Sequence, residues 1–205
     1  MRSISERQRD LYQESLDKHG DSARATHQND PVTQCLRFER LIKEIEPFLP
    51  GNSIHDVGCG FGELGEYLTQ REAGCAYSGI EIVVDDFIAR DYEGSYDFVV
   101  ASGVFNIPGK VQPDEWNLYN QAMTKKMFAL ATKGIAFNGL TTFADFRRDD
   151  LHYWDPTQVL SFCQSELSRF CILDHAYPLY EWTLTVLHQD FVRDAYPADE
   201  LTKYF

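Results

Sequence analysis

Asp56-Val57-Gly58-Cys59-Gly60-Phe61-Gly62-Glu63-Leu64 is the stretch that decides the fold of this chain. It follows a short apolar run, Ser53 to Val57, and precedes residues 63–72, where Leu64, Tyr67 and Leu68 recur at helical spacing before Gly74. A plain strand-to-helix turn needs one or two glycines. Three alternating glycines let the backbone turn sharply and approach a ligand closely beside a helix N-terminus.

Strand and helix alternate on both sides of this loop. Tyr77–Ile82, Tyr96–Ala101 and Gly134–Asn138 read as strands, and Pro113-Asp114 opens a long helix to Thr132. Asp155-Pro156 reads as N-cap and first helical residue of a helix to about Leu167. Residues 170–176 and 180–188 are apolar and β-rich around Tyr177-Pro178, which predicts an antiparallel pair. The fold class is therefore α/β: a doubly wound, Rossmann-like, mostly parallel sheet with a C-terminal antiparallel strand pair. The first 50 residues read as helical. Residues 4–19 form one helix ending at Gly20, and residues 21–29 form a loop. A second helix capped by Asp30-Pro31 carries Leu36, Leu41, Ile42, Ile45 and Leu49 on one face. Residues 1–50 are expected to cap a domain spanning 51–205, the whole forming one globular unit.

Composition excludes several classes. The chain has 205 residues, 43% of them hydrophobic and 25% charged, the profile of an ordinary globular protein. Its 32 acids against 19 bases give a formal charge of −13, which repels nucleic-acid phosphates and anionic lipid. No apolar run reaches the length of a membrane span, and the start is polar, unlike a signal peptide. The five cysteines, Cys35, Cys59, Cys75, Cys163 and Cys171, are widely spaced without a CxxC pair. That pattern fits buried thiols in a reducing cytoplasm. No cluster has metal-ligand spacing, so no metal is expected.

The dinucleotide fingerprint GxGxxG requires its third glycine at position 63, which is Glu63. A carboxylate at the helix start sits badly beside a pyrophosphate. The loop thus prefers a ligand without phosphate, or a cationic one. DVGCGFGEL followed by YSGIEI resembles the glycine motif and acidic second-strand end of class I S-adenosylmethionine-dependent methyltransferases. The likeness extends over roughly residues 35–190. HGDSARA, QCLRFERL, ASGVFN, GIAFNGLTTFAD, LHYWDP and LYEWTLTV are similar to a group of small, poorly characterised bacterial members.

The resemblance implies S-adenosylmethionine as cofactor. Gly58, Cys59, Gly60 and Gly62 would lie under its methionine part. Asp56 would help hold its amino group, Glu81 would accept both ribose hydroxyls, and Ser102 would join the site from the fourth strand of the family's order. Glu81 stands at about the usual 20-residue spacing from the loop, and two carboxylate oxygens match a cis-diol. Asp86 and Phe87, in a segment resembling the third strand (84–88), would flank adenine. One piece is missing. In the family a helix and a strand separate the second strand from the YDFVVA strand, yet only residues 82–96 separate Glu81 from Asp97. The helix after the second strand is expected to be absent. A natural deletion, an engineered one and a stretch left out of the sequence are all open.

A small-molecule methyl acceptor is expected at the carboxyl ends of the strands. Phe105 and Asn106 follow one strand and Asn138 ends another. The long 141–154 connection adds Tyr153, Trp154 and His152, the candidate base. Arg37 is a candidate for the methionine carboxylate, with an ion pair to Glu39 or Glu44 as its alternative. Two rival functions stand: a catalytically silent binding module or partner subunit, and a nicotinamide-dependent oxidoreductase.

Overall fold

The computed structural model describes residues 30–81 and 87–205, together with Ile4, Glu6, Arg7 and Asp10, which are helical. The expected 4–19 helix and 21–29 loop otherwise lie outside the described residues, as do Asp86 and the 82–85 stretch to which the missing piece is assigned. Arg7 makes a 2.6 Å ion pair with Glu115.

Helix α1 (Pro31–Ile42) begins where Asp30 accepts the Val32 N–H and Pro31 fixes the first turn. Strand β1 (Ser53–Val57) runs into the glycine loop and helix α2 (Glu63–Gln70). Strands β2 (Ala76–Ile80) and β3 (Tyr96–Ala101) follow, then helix α3 (Pro113–Leu130) and the long strand β4 (Ala131–Thr141). Two-residue strand β5 (Tyr153–Trp154) precedes helix α4 (Pro156–Glu166), whose N-cap Asp155 accepts from Thr157 and Gln158. Strands β6 (Cys171–Asp174) and β7 (Glu181–Leu187) precede a short helix α5 (Gln189–Ala195) and a 3-10 turn over Asp199–Tyr204.

Among the described residues seven strands form one sheet in the order β2-β1-β3-β4-β7-β6, with β5 paired to β4. β2, β1, β3 and β4 are parallel, while β7 runs antiparallel to both β4 and β6. This is the expected Rossmann-like architecture. Among the described residues no helix lies between β2 and β3, and Phe87 to Ala89 form a turn rather than a third strand.

Alternation along the strands divides the core. Ile54, Phe98, Val100 and Ala136 pack under Phe38, Leu41 and Ile42 of α1 and Leu64 and Leu68 of α2. Val57, Val99, Ala101, Ile135, Phe137, Leu184 and Val186 pack against α3 and α4 through Met123, Met127, Val159 and Cys163. The C-terminal helix, unforeseen in the sequence, adds Phe191 edge-on to Phe48 and Phe98. Its own sequence is short and polar, so only tertiary contact fixes it.

Close approach of β4 and β7 depends on Gly134. A Cβ there would stand 2.7 Å from the Val186 carbonyl oxygen, a backbone atom that cannot rotate away. Gly134→Ala is expected to destabilise the fold by about 2 kcal/mol, the order of an overpacked core. An unchanged urea midpoint would show that the two strands separate freely.

Candidate functional site

The loop after β1 adopts the conformation its glycines permit: φ is 77° at Gly58, 54° at Gly60 and 85° at Gly62. Nothing lies within 4 Å of a Cβ built on Gly62, so the requirement there is conformational rather than spatial. Gly62 is the N-cap of α2 and offers no side chain, while Glu63 and Glu66 occupy the first turn. Phe61 is exposed at the tip.

Glu81 leaves β2 beside this loop, and its Oε2 accepts the Gly60 N–H at 2.8 Å. The Cys59 side chain covers Gly79, where a Cβ would meet the Cys59 Cβ at 2.7 Å. Burial pushes the Cys59 thiol up to about 11, helped by the Asp56 and Glu81 charges. Asp56 is buried at the end of β1. Its Oδ2 accepts the Tyr77 hydroxyl at 3.0 Å, and its Oδ1 has no hydrogen-bond partner. Burial lifts the carboxyl to about 7 against the opposing Tyr77 bond, with a further push from the Glu81 and Glu63 charges. Nothing in the spacing of the sequence marks Tyr77 as a site residue.

Asp56 and Asn138 face the α1 side of the sheet. Asp56 lies two residues from Ile54 and Asn138 two from Ala136, so each shares that residue's face. They are not level: Asp56 lies beside Val100 and Val100 beside Ala136, so Asn138 stands two residues further along, beside Thr183. Asn138 is buried and its Oδ1 accepts the Gly103 N–H at 2.7 Å. Its Nδ2 lies 3.4 Å from Glu181 Oε2. Glu181, only 3% exposed, pairs with Arg37 of α1 at 2.7 Å. Neither Glu39 nor Glu44 is the partner of Arg37. The signal for this pair was an acid opening an otherwise apolar strand. The Ser102 Oγ is buried without a partner.

Across the mouth, the Asn106 Oδ1 accepts the Leu140 N–H at 3.1 Å, and its carbonyl accepts the His152 N–H at 2.8 Å. The His152 Nε2 is buried without a partner, and burial lowers the imidazole to about 4. It is therefore neutral near pH 7 and able to accept a proton. The Tyr153 hydroxyl accepts the Arg148 N–H, and the Arg147 guanidinium lies over its ring. Arg148 pairs with Asp150.

Three candidates lie elsewhere. Phe105 and Trp154 are buried edge-on to each other, and each carbonyl accepts a tryptophan N–H, from Trp116 and Trp182. Phe87 is buried edge-on to Tyr92. Their rings are taken up by the α3-side core.

A protein of Mycobacterium tuberculosis (strain H37Rv) named "Putative methyltransferase Rv1506c" is 34% identical over 165 residues, 72% of this chain and 97% of that protein. The chain belongs to that methyltransferase family. No protein-family model matches it. Two solved structures share the fold of this methyltransferase. Magnesium protoporphyrin IX methyltransferase from Synechocystis PCC 6803, crystallised with SAM, has a TM-score of 0.57 at 14% identity, covering 92% of this chain and 99% of its own. Human N-acetylserotonin methyltransferase in complex with SAM has a TM-score of 0.59 at 13% identity, covering 85% and 55%. Among the described residues no helix of the methyltransferase is long and apolar enough to cross a membrane.

Proposed function

We propose that the chain binds S-adenosylmethionine and transfers its methyl group to an oxygen, nitrogen or carbon of a small molecule in the cytoplasm. The observation that carries this reading is the left-handed glycine loop flanked by Glu81 and by the unpartnered Oδ1 of buried Asp56. Gly58, Cys59, Gly60 and Gly62 line the cofactor's methionine part, Asp56 faces its amino group and Glu81 its ribose. When bound, the cofactor supplies a methyl carbon on a good sulfonium leaving group. The chain's own task is then mainly alignment. Ser102 joins the cofactor side, and Asn106 and Asn138 stand at the acceptor side. Neutral His152 accepts a proton where the acceptor must lose one. The charge of −13 supports a small acceptor over nucleic acid.

Calorimetric titration with S-adenosylhomocysteine and with a nicotinamide dinucleotide tests this. Binding of the first alone is expected, because Glu63 and Glu66 crowd the helix N-terminus with negative charge. Binding of the dinucleotide alone would mark an oxidoreductase. Binding of neither at millimolar concentration would mark a silent module, a reading favoured by the lack of a helix between β2 and β3 among the described residues.

A further inference from the structure

Helix α1 and its C-cap Lys43 bring three cations toward the carboxyl end of the sheet, and they are not equivalent. Arg40 and Lys43 both lie against Asp174, at 3.5 and 3.3 Å, and each also meets a neighbouring glutamate. Arg37 has a single contact among the described residues, from its Nε to Glu181 Oε1. The guanidinium is thereby held at one edge, and its two terminal nitrogens keep their donors open. Its side chain is 21% exposed and that of Glu181 4%. The brace beneath is itself fixed, because Glu181 reaches Asn138 and Asn138 holds the backbone at Gly103 after β3.

A methionine amine held at Asp56 argues against the cofactor's own carboxylate as the partner of Arg37. Asp56 lies on β1 and Glu181 on β7, three strand spacings away in the order β1-β3-β4-β7. That is about 14 Å, whereas the amino and carboxylate groups of one amino acid are neighbours. A methionine amine at Asp56 thus leaves Arg37 on the acceptor's side of the site. We propose that Arg37 anchors the methyl acceptor through a carboxylate group, with Glu181 bracing the guanidinium. A planar carboxylate matches the two open nitrogens. The retained Glu181 charge disfavours a more highly charged phosphate. The connection leaving β4 exposes Phe143 and Phe146, which suits an apolar or aromatic body.

This assignment rests on the methyltransferase reading, and the experiment separates the two. Hydroxybenzoic and aminobenzoic acids, each beside its primary amide, are titrated into the protein with and without saturating S-adenosylhomocysteine. The acids are expected to bind at least tenfold more tightly than their amides. Arg37→Gln should erase that preference. Glu181→Gln should preserve or strengthen it, because the competing carboxylate is gone. Since Arg37→Gln leaves Glu181 as a buried unpaired charge, the double variant R37Q/E181Q restores neutrality and should behave as R37Q while melting near the wild type. Equal binding of acids and amides, binding of no acid, or equal losses in R37Q and E181Q would overturn the proposal. Failure of S-adenosylhomocysteine to bind would overturn the cofactor reading alone, because the acid titration without it still reports on Arg37.

Discussion

Glu81→Ala is expected to weaken S-adenosylhomocysteine binding by about 3 kcal/mol, more than a hundredfold in Kd. The carboxylate stands at the end of β2, with Oε2 2.8 Å from the Gly60 N–H. That bond ties the group facing the ribose to the loop under the methionine part. The substitution removes charge-assisted bonds worth about 1.5–3 kcal/mol each and also frees the loop amide. Glu81→Gln keeps one acceptor oxygen and should lose roughly half as much. Calorimetry reads both values, and unchanged affinity in the alanine variant would place the ribose elsewhere.

Asp56→Asn should act on stability and on binding with opposite signs. Burial lifts the folded carboxyl to about 7 from its ordinary value of 3.8. Between these values the native state holds more proton than the unfolded chain, so stability falls as pH rises through this window. The penalty is complete by pH 8 and absent below 3.8. Asparagine still accepts the Tyr77 hydroxyl and carries no charge. The variant should therefore be about 2–4 kcal/mol more stable than wild type at pH 8 and no more stable near pH 3.5. Comparison at equal pH cancels the opposite contribution of His55 and His152, both lowered to about 4. Binding should run the other way. Wild-type affinity for S-adenosylhomocysteine is expected to fall up to tenfold per pH unit below 7, as the carboxylate facing the amino group is protonated. The variant should bind weakly at every pH. Equal pH profiles would remove Asp56 from the site.

The sequence made the site's cofactor side legible through local chemistry. Positive φ at three alternating positions demands glycine, and Asp-Pro at positions 30–31 and 155–156 announces two helix starts. A carboxylate one residue beyond β2 is likewise fixed by chain direction alone. The acceptor side was less legible. Phe105 reads as a contact because it follows a strand and Trp154 because it ends a long connection, yet neighbouring rings hold both in the core. Nothing within a few residues distinguishes an aromatic that faces a ligand from one that faces a helix.

By itself, then, the sequence determined the alternating β/α order, the glycine turn and the acid that follows β2, because each depends on backbone conformation and spacing within a short window. The tertiary structure alone decided that Arg37 meets Glu181 across 144 positions of chain, and that Asp56 and Asn138 share one face of the sheet. Those choices depend on strand order and register. Parallel strands joined through helices bring together residues whose separation in sequence carries no trace of their contact.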